Sequence, residues 1–287
     1  MNKKIKPGRV LVFLILLAYA AFILLPFYTI LVTSITPNTE TMSSLKFVWW
    51  PDSVTAENYY RLFAEDPFLD ELMMPSLING FFNTIWTSLI TVVISLLTSG
   101  LAAYAYTNLQ VPYKETIFRI QLATMMVPLG AFLVTAYLFY TQIGWVGTYL
   151  PLMIPAMFGG SGAIFFLRTY MKSIPPEIFE AAKIDGYGTM RIFFKFVFPL
   201  SIPAFTAQFI FAFVGRYNAY MGPMLYLDEP QEYTLQLALY EIMSYFGGDQ
   251  VGVNCAGAVM ALLPMIIVFL FSEQFFIEGV AVNGGKE

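Results

Sequence analysis

The chain has 287 residues, of which 58% are hydrophobic and 12% are charged, and its formal net charge is −4. This composition is too apolar for a soluble globular domain of that length, so it indicates a membrane protein. Histidine is absent and Cys255 is the single cysteine, which excludes histidine-based catalysis, histidine metal ligation and an intrachain disulfide. We expect no catalytic residue, metal site or cofactor on this chain.

Long uncharged runs predict where the chain crosses the membrane, because a helix needs about 20 apolar residues to cross the hydrocarbon core. The run over 120–167 is long enough for two helices that fold back at Gly144–Gly147. The sequence therefore predicts an all-α polytopic protein with six transmembrane helices, at 10–33, 78–106, 118–141, 147–168, 198–220 and 252–275.

The first of these helices follows several basic residues and could be misread as a cleavable signal. Its apolar stretch is about 24 residues long, has no small-x-small cleavage pattern and is followed by further spans. We therefore expect a retained first helix.

The basic residues predict the orientation of the chain. With both termini in the cytoplasm, the inner segments carry twelve Lys or Arg residues and the outer segments carry Lys46 and Arg61. This asymmetry is a strong positive-inside bias. We expect a first helix with an extracytoplasmic segment over 1–77, a core over 78–276 with a cytoplasmic loop at 169–197, and a cytoplasmic tail over 277–287.

Two glycine-rich stretches lack the features of a phosphate-binding loop. Gly284-Gly285-Lys286 has neither the upstream glycine nor the following Ser or Thr, and Gly159-Gly160-Ser161-Gly162 has no lysine. Because the second stretch lies inside a predicted span, we interpret it as a close-packing or kink site between helices.

The water-facing loop contains a short helix with clear start and stop signals. Pro175-Pro176-Glu177 is typical of a helix start, and Gly186 is suited to the left-handed conformation that follows a helix end. A second amphipathic piece follows over Met190–Phe198. These features fit two interpretations, an interfacial helix that rests on lipid headgroups or a helix that docks on a cytoplasmic partner.

The order of residues in this loop resembles the cytoplasmic "EAA" loop of ABC importer permeases. The resemblance is carried by Glu180-Ala181-Ala182 and Asp185-Gly186, with Pro199 and Pro203 beyond them. In that family the loop forms a coupling helix that sits in a groove on an ATPase subunit. The resemblance therefore implies that these five residues couple this chain to an ATPase.

Further motifs resemble the carbohydrate branch of these permeases, and the ending is similar to that of the shorter permease of maltose-type heterodimeric importers. These motifs are Glu57-Asn58-Tyr59, Asn83-Thr84, Ala102-Ala103-Tyr104-Ala105-Tyr106, Met125-Met126-Val127-Pro128, Gly147-Thr148-Tyr149 and Phe276-Ile277-Glu278-Gly279.

The resemblance implies a translocating subunit of a type I importer for a sugar or oligosaccharide, in a bacterial or archaeal cytoplasmic membrane. Its expected partners are the lipid bilayer, a second permease, an ATPase dimer that holds ATP and magnesium, and an extracytoplasmic binding protein, with no nucleic acid. The chain itself would not be an enzyme. Alternative hypotheses are a permease for amino acids or peptides, and a stand-alone secondary transporter, although the predicted helix centres carry no ionisable residue for ion coupling.

A separate prediction concerns the outer end of the fifth helix, which in this family borders the passage. Arg216 is a charge at membrane depth, so it needs a protein partner or a watery cavity. Arg216 forms an ion pair with the partner permease, Asp228 or Glu229, or it lies beside Tyr217, Asn218 and Tyr220 in the substrate path.

Overall fold

The computed structural model of the chain describes residues 7–43, 48–72 and 74–284, and these residues form helices joined by turns without a strand among them. They form two compact units, Met1–Leu77 with Leu239–Pro264 and Ile78–Ala238 with Met265–Glu287. The basic residues Lys3, Lys4, Lys6, Lys46 and Lys286, on which part of the predicted orientation rests, lie outside the described residues.

The first unit begins with one long apolar helix and continues with three short ones. These are α1 Pro7–Ser34, α2 Asn38–Ser43, α3 Glu57–Ala64 and α4 Leu69–Leu72. Asn58 closes the end of α1, because its buried amide nitrogen donates to the carbonyls of Ser34 (3.0 Å) and Thr36 (2.8 Å). The amide packs on Gly252, where an added Cβ would lie 2.6 Å from that nitrogen.

The second unit contains most of the helices. They are α5 Ser76–Asn108, α6 Lys114–Thr124, α7 Leu133–Gln142, α8 Leu150–Met157, α9 Ser161–Met171, α10 Pro176–Ile184, α11 Thr189–Ile192, α12 Phe198–Leu200, α13 Ile202–Tyr217 and α14 Met221–Tyr226. Short 3-10 turns lie at Leu129–Phe132 and Pro230–Glu232, and a π turn lies at Phe193–Val197. The last helices, α15 Leu235–Phe246 and α16 Val251–Gly284, contribute residues to both units.

Four helices of the described chain are long and apolar enough to cross a membrane, and a bent pair supplies a fifth candidate. The four are Gly8–Ser34, Ser76–Asn108, Leu150–Met171 and Val251–Leu270. The bent pair is Thr189–Leu200 with Ile202–Tyr217, at an angle of 77°. The predicted positions of five crossings thus correspond to structural features, and the sixth crossing with both termini in the cytoplasm stays a prediction.

The crossing predicted at 118–141 is not a single helix in the structure. The chain forms α6, leaves helical geometry, makes a 3-10 turn and then forms α7. Pro128 explains the break, since it has no N–H to donate, disfavours helix at the preceding residue, and is itself extended with φ −68° and ψ 115°.

The final helix is longer than the sequence predicts. The sequence predicts an end at residue 275 and a tail from residue 277, whereas α16 continues to Gly284. Half of its residues 271–284 are apolar, and the stretch contains neither proline nor consecutive glycines before the end, so it has no strong helix-stop signal.

The glycine pair between α8 and α9 is the predicted close-packing site. Gly159 has a φ of +86°, and an added Cβ there would lie 2.9 Å from the Ser99 hydroxyl and 3.3 Å from its backbone nitrogen. The neighbouring Thr98 hydroxyl donates to the Met157 carbonyl at 2.7 Å. The prediction is confirmed, because α5 packs against the backbone at this break.

The core of the second unit is a continuous apolar cluster. It draws on α5, α6, α9, α10 and the segment from α11 to α13, with members that include Val92, Ala103, Tyr104, Phe118, Leu167, Met171, Phe179, Ala182, Ile192, Phe193, Val197 and Phe205. The loop helix α10 therefore shares one core with the long helix α5.

Candidate functional site

The helix α10 begins and ends where its sequence predicts. Pro175 is extended and Pro176 occupies the first helical position. An N–H at that position has no acceptor within the helix, so proline costs no hydrogen bond there. Glu177 adds an acidic group to the first turn, where the helix dipole favours negative charge. The helix runs to Ile184, so the predicted short helix is confirmed.

A two-hydrogen-bond cap stops α10 at Gly186. The backbone N–H of Tyr187 donates to the Ala182 carbonyl and that of Gly186 donates to the Lys183 carbonyl, both at 3.0 Å. This pattern is a Schellman motif, which needs a left-handed residue, and Gly186 supplies it with a φ of +80°. The sharp turn fixes the direction in which the chain leaves the helix.

The two faces of α10 differ in burial. Phe179 and Ala182 are 7% and 2% exposed and belong to the core cluster. The opposite face presents Glu180, Ala181 and Ile184, and the Ile184 side chain is 87% exposed. Spacings of three and four residues bring each set to one face of a helix.

The alanine pair of the loop is divided between these two faces. Of the two, only Ala181 points outward. Ala182 packs inside the core beside Phe179. The outward face therefore combines a carboxylate at Glu180, a small residue at Ala181 and an apolar side chain at Ile184, with Asp185 exposed at the helix end.

The segment after α10 is tied back to the turn by a lysine. The Lys195 ammonium donates to the Tyr187 hydroxyl at 2.5 Å and lies 4.5 Å from the centre of that ring. The Tyr187 ring also meets Phe196 edge-on at 5.4 Å. These contacts hold the turn against the helix that follows.

Arg216 lies in the last turn of α13 and bonds to the main chain. Its Nη1 donates to the Leu152 carbonyl in α8 at 2.7 Å, and its side chain is half-buried. Within the described part of the chain it makes no ion pair with Asp228 or Glu229, so that version of the ion-pair interpretation is not seen. Pairing with a second permease stays a prediction.

The three residues after Arg216 differ in their access to solvent. Tyr217 is 1% exposed and its ring lies 6.2 Å from that of Phe213. Asn218 is exposed and donates to the Val214 carbonyl at 3.0 Å, whereas Tyr220 is half-buried. In this conformation Asn218 is therefore the most accessible of the three, and their role in a substrate path stays a prediction.

The motif residues Asn83 and Thr84 hold a loop that precedes α15. The Asn83 amide nitrogen donates to the carbonyls of Gln231 (2.7 Å) and Tyr233 (3.0 Å). The Thr84 hydroxyl accepts the N–H of Leu235 at 2.8 Å. Both residues therefore have a structural role in the second unit.

A buried cation beside the loop was not singled out from the sequence. Arg168 in α9 is 3% exposed, its guanidinium carbon lies 4.0 Å from the centre of the Phe118 ring, and its Nη2 bonds to Glu115. The hydrogen bond from Arg168 holds the pKa of the Glu115 carboxyl below its usual value. A lone arginine within Phe165-Phe166-Leu167-Arg168 was the available signal, since an arginine in an apolar run needs a partner.

No group of three or more metal-ligating side chains occurs among residues 7–43, 48–72 and 74–284. The helix α10 presents one exposed face, and its other face packs into the core of the second unit.

Comparison with known proteins gives concordant matches. Residues 98–276 match the family described as "Binding-protein-dependent transport system inner membrane component". The chain is 28% identical over 288 residues to the arabinooligosaccharides transport system permease protein AraQ of Halalkalibacterium halodurans, with 100% of both chains covered. It is 29% identical over 237 residues to the maltodextrin transport system permease protein MdxG of Bacillus subtilis, covering 82% of this chain and 81% of that one.

A solved structure shows the same fold. It is the crystal structure of a bacterial ABC transporter involved in the import of the acidic polysaccharide alginate. The match has a TM-score of 0.81 and 22% identity, and it covers 96% of this chain and 100% of that one. At this identity the likeness carries the fold alone, which is that of a type I ABC importer permease.

Proposed function

Because the chain belongs to the family of binding-protein-dependent transport system inner membrane components, we propose that it is the translocating subunit of an ATP-driven importer for a sugar or oligosaccharide. The observation that carries the coupling role is the two-faced helix α10, which has an exposed outer face and an inner face within the core of the second unit.

The mechanism follows from how α10 is packed. A partner ATPase, which would bind ATP and magnesium, engages the face formed by Glu180, Ala181 and Ile184. Protein cores are close-packed and transmit displacement with little compression. Movement of α10 therefore displaces Phe179 and Ala182, and with them the side chains of α5 and α9 that share the cluster. This chain converts closure of the ATPase dimer into a change of access to the passage.

The proposed partners follow from this role. They are a second permease that completes the passage, an ATPase dimer under the loop 169–197, and an extracytoplasmic binding protein that delivers the substrate. The proposed location is a bacterial or archaeal cytoplasmic membrane, with both termini in the cytoplasm.

The substrate class rests on the names of the relatives. Those names specify arabinooligosaccharides and maltodextrin, and they lend no support to amino acids or peptides as the cargo. Sugar recognition needs hydrogen-bonding groups beside aromatic faces, and residues 216–220 supply an arginine, an amide and two tyrosines.

The test is purification of the intact complex through a tag on this chain, followed by ATPase assays with the binding protein and a panel of ligands. Sugar oligomers should stimulate ATP hydrolysis. Stimulation by amino acids or peptides alone would support the alternative permease, and transport without any co-purifying ATPase would support a stand-alone transporter.

A further inference from the structure

The segment Thr189–Leu200 has two faces of different chemistry, and its outer face is not explained by the coupling role of α10. Its inner face places Ile192, Phe193 and Val197 in the core of the second unit, each with at most 1% exposure. Its outer face presents the exposed apolar side chains of Met190, Phe194 and Leu200 together with the exposed basic side chains of Arg191 and Lys195. We refer to these five residues as the interfacial stripe.

A π turn keeps the stripe continuous along the segment. Exposed pairs occur at 190–191, 194–195 and 199–200, so their spacing changes from four residues to five. The π turn Phe193–Val197 accounts for the change, because it adds a residue to one helical turn. Without that extra residue, the exposed pair at 199–200 would rotate away from the face that carries the pairs at 190–191 and 194–195.

The direction of the segment places it near the surface of the bilayer. It bends by 77° from α13, which follows after Ser201 alone. The 16 residues of α13 rise about 24 Å, which nearly covers the hydrocarbon core of about 30 Å. Because transmembrane helices tilt by only about 20° on average, a segment at this angle to α13 lies close to the membrane plane.

The charges of the stripe select one kind of surface. Thr189–Leu200 carries Arg191 and Lys195 and no acidic residue. Arg191 is exposed, with no ion pair to the rest of the described chain. Lys195 is oriented by the Tyr187 hydroxyl, and an ammonium has three donors, so two remain for another acceptor. Basic residues beside exposed apolar ones are typical of helices that lie in a headgroup layer with anionic lipid.

We propose that the interfacial stripe is a binding surface for anionic lipid headgroups. Met190, Phe194 and Leu200 enter the boundary of the acyl chains, and Arg191 and Lys195 pair with lipid phosphates. The proposal goes beyond the transport function, because it assigns a lipid-contacting role to a segment joined directly to the coupling helix.

The experiment measures which lipid touches the stripe. The full-length protein, purified with the subunits that accompany it, carries Cys255→Ser and a bimane label at Phe194→Cys. The fluorescence of the Cys255→Ser protein without Phe194→Cys, treated with the same reagent, is subtracted as background. It is placed in vesicles of phosphatidylcholine and phosphatidylglycerol, in which one lipid or the other has brominated acyl chains. A second label at Ile184→Cys, on the outer face of α10, is the positional control.

Quenching at position 194 should exceed that at 184, and brominated phosphatidylglycerol should quench more strongly than brominated phosphatidylcholine. Arg191→Gln and Lys195→Gln should each lower this preference by up to roughly fivefold, since a basic residue near an anionic surface contributes about that factor. Arg119→Gln, which removes an exposed charge from α6, should leave the preference unchanged.

Two results would overturn the proposal. Equal quenching by the two lipids, unaffected by either glutamine variant, would mean that the stripe has no headgroup preference. A label at 194 that neither lipid quenches would mean that a protein subunit covers the stripe.

Discussion

Arg168 and Glu115 form an ion pair that joins the last turn of α9 to the first turn of α6. The two residues differ in exposure, because the arginine is buried under Phe118 while the glutamate is more than half exposed. The core residues Leu167 and Met171 flank the arginine in the chain and pack in the same cluster as Phe179 of α10. The pair therefore anchors α6 to α9, the helix that precedes the loop 169–197.

The first prediction concerns the pH dependence of this pair. The folded-state pKa of Glu115 is lowered by the hydrogen bond from Arg168, so the stabilisation is present above the unfolded pKa of about 4.3 and is lost as pH falls through the folded value. Wild-type protein should melt at a higher temperature than Glu115→Gln at neutral pH, and the difference should shrink in acid. Asp52→Asn, which removes an exposed carboxylate outside the helices and outside any ion pair in the described chain, should leave the melting temperature close to that of wild type.

The second prediction concerns the cap of α10. Gly186→Ala should destabilise the loop by about 1 to 2 kcal/mol, because a side chain in the left-handed region meets its own backbone. Space is not the reason, as an added Cβ has no neighbour within 4 Å at Gly186 or at Gly188. Gly188→Ala is the matched control, since its φ is −72°. Equal thermal midpoints for the two variants would argue against a role for the cap.

The third prediction concerns docking. Glu180→Lys should leave membrane insertion unchanged and lower substrate transport in vesicles, because it reverses a charge on the exposed face of α10. Phe179→Ala should instead reduce the yield of folded protein, since removing a buried phenylalanine costs about 3 to 5 kcal/mol. Normal transport by Glu180→Lys would leave the loop as an interfacial helix only.

The fourth prediction concerns topology. After Cys255 is replaced, cysteines at Ser53 and Lys183 should react with a membrane-impermeant reagent from opposite sides. Both positions are exposed, so accessibility does not limit the reaction. Labelling from the same side would contradict the proposed six-helix arrangement.

The fifth prediction concerns Arg216. If it contacts the cargo, Arg216→Gln should lower transport while the complex still assembles and keeps its basal ATPase activity. The hydrogen bond to the Leu152 carbonyl provides the alternative, in which the side chain fastens α13 to α8. Arg216→Lys separates the two, because it keeps the charge and a donor without the planar fork. Loss of assembly in the glutamine variant with rescue by lysine would support the fastening role.

The sequence predicts those parts of the fold that local chemistry decides. The helix predicted at 10–33 matches α1, because an uninterrupted apolar run favours a membrane-crossing helix. The predicted loop helix matches α10, because proline at its start and glycine after its end act on neighbouring residues only. The break before α7 was missed because a hydropathy pattern counts apolar residues and does not register the missing N–H of Pro128.

The site shows the same division between local and distant effects. The turn at Gly186 could be predicted from one glycine, whereas the opposite facing of Ala181 and Ala182 depends on which side of α10 meets the core. The pairing of Arg168 with Glu115 joins residues 53 positions apart, and no sequence spacing indicates such a partner.

The interruption at Pro128 also bears on how a cell handles this chain before assembly. Residues around it are open to the surroundings, with Met126 at 86% exposure. If the stretch lies within the bilayer, as the six-helix arrangement requires, its non-helical backbone is tolerated only against protein or in a watery cavity. A newly made copy without its second permease would then expose this non-helical backbone to lipid. Such an orphan subunit would be a substrate for membrane quality-control proteases, so cellular abundance of this chain would follow the supply of its partner.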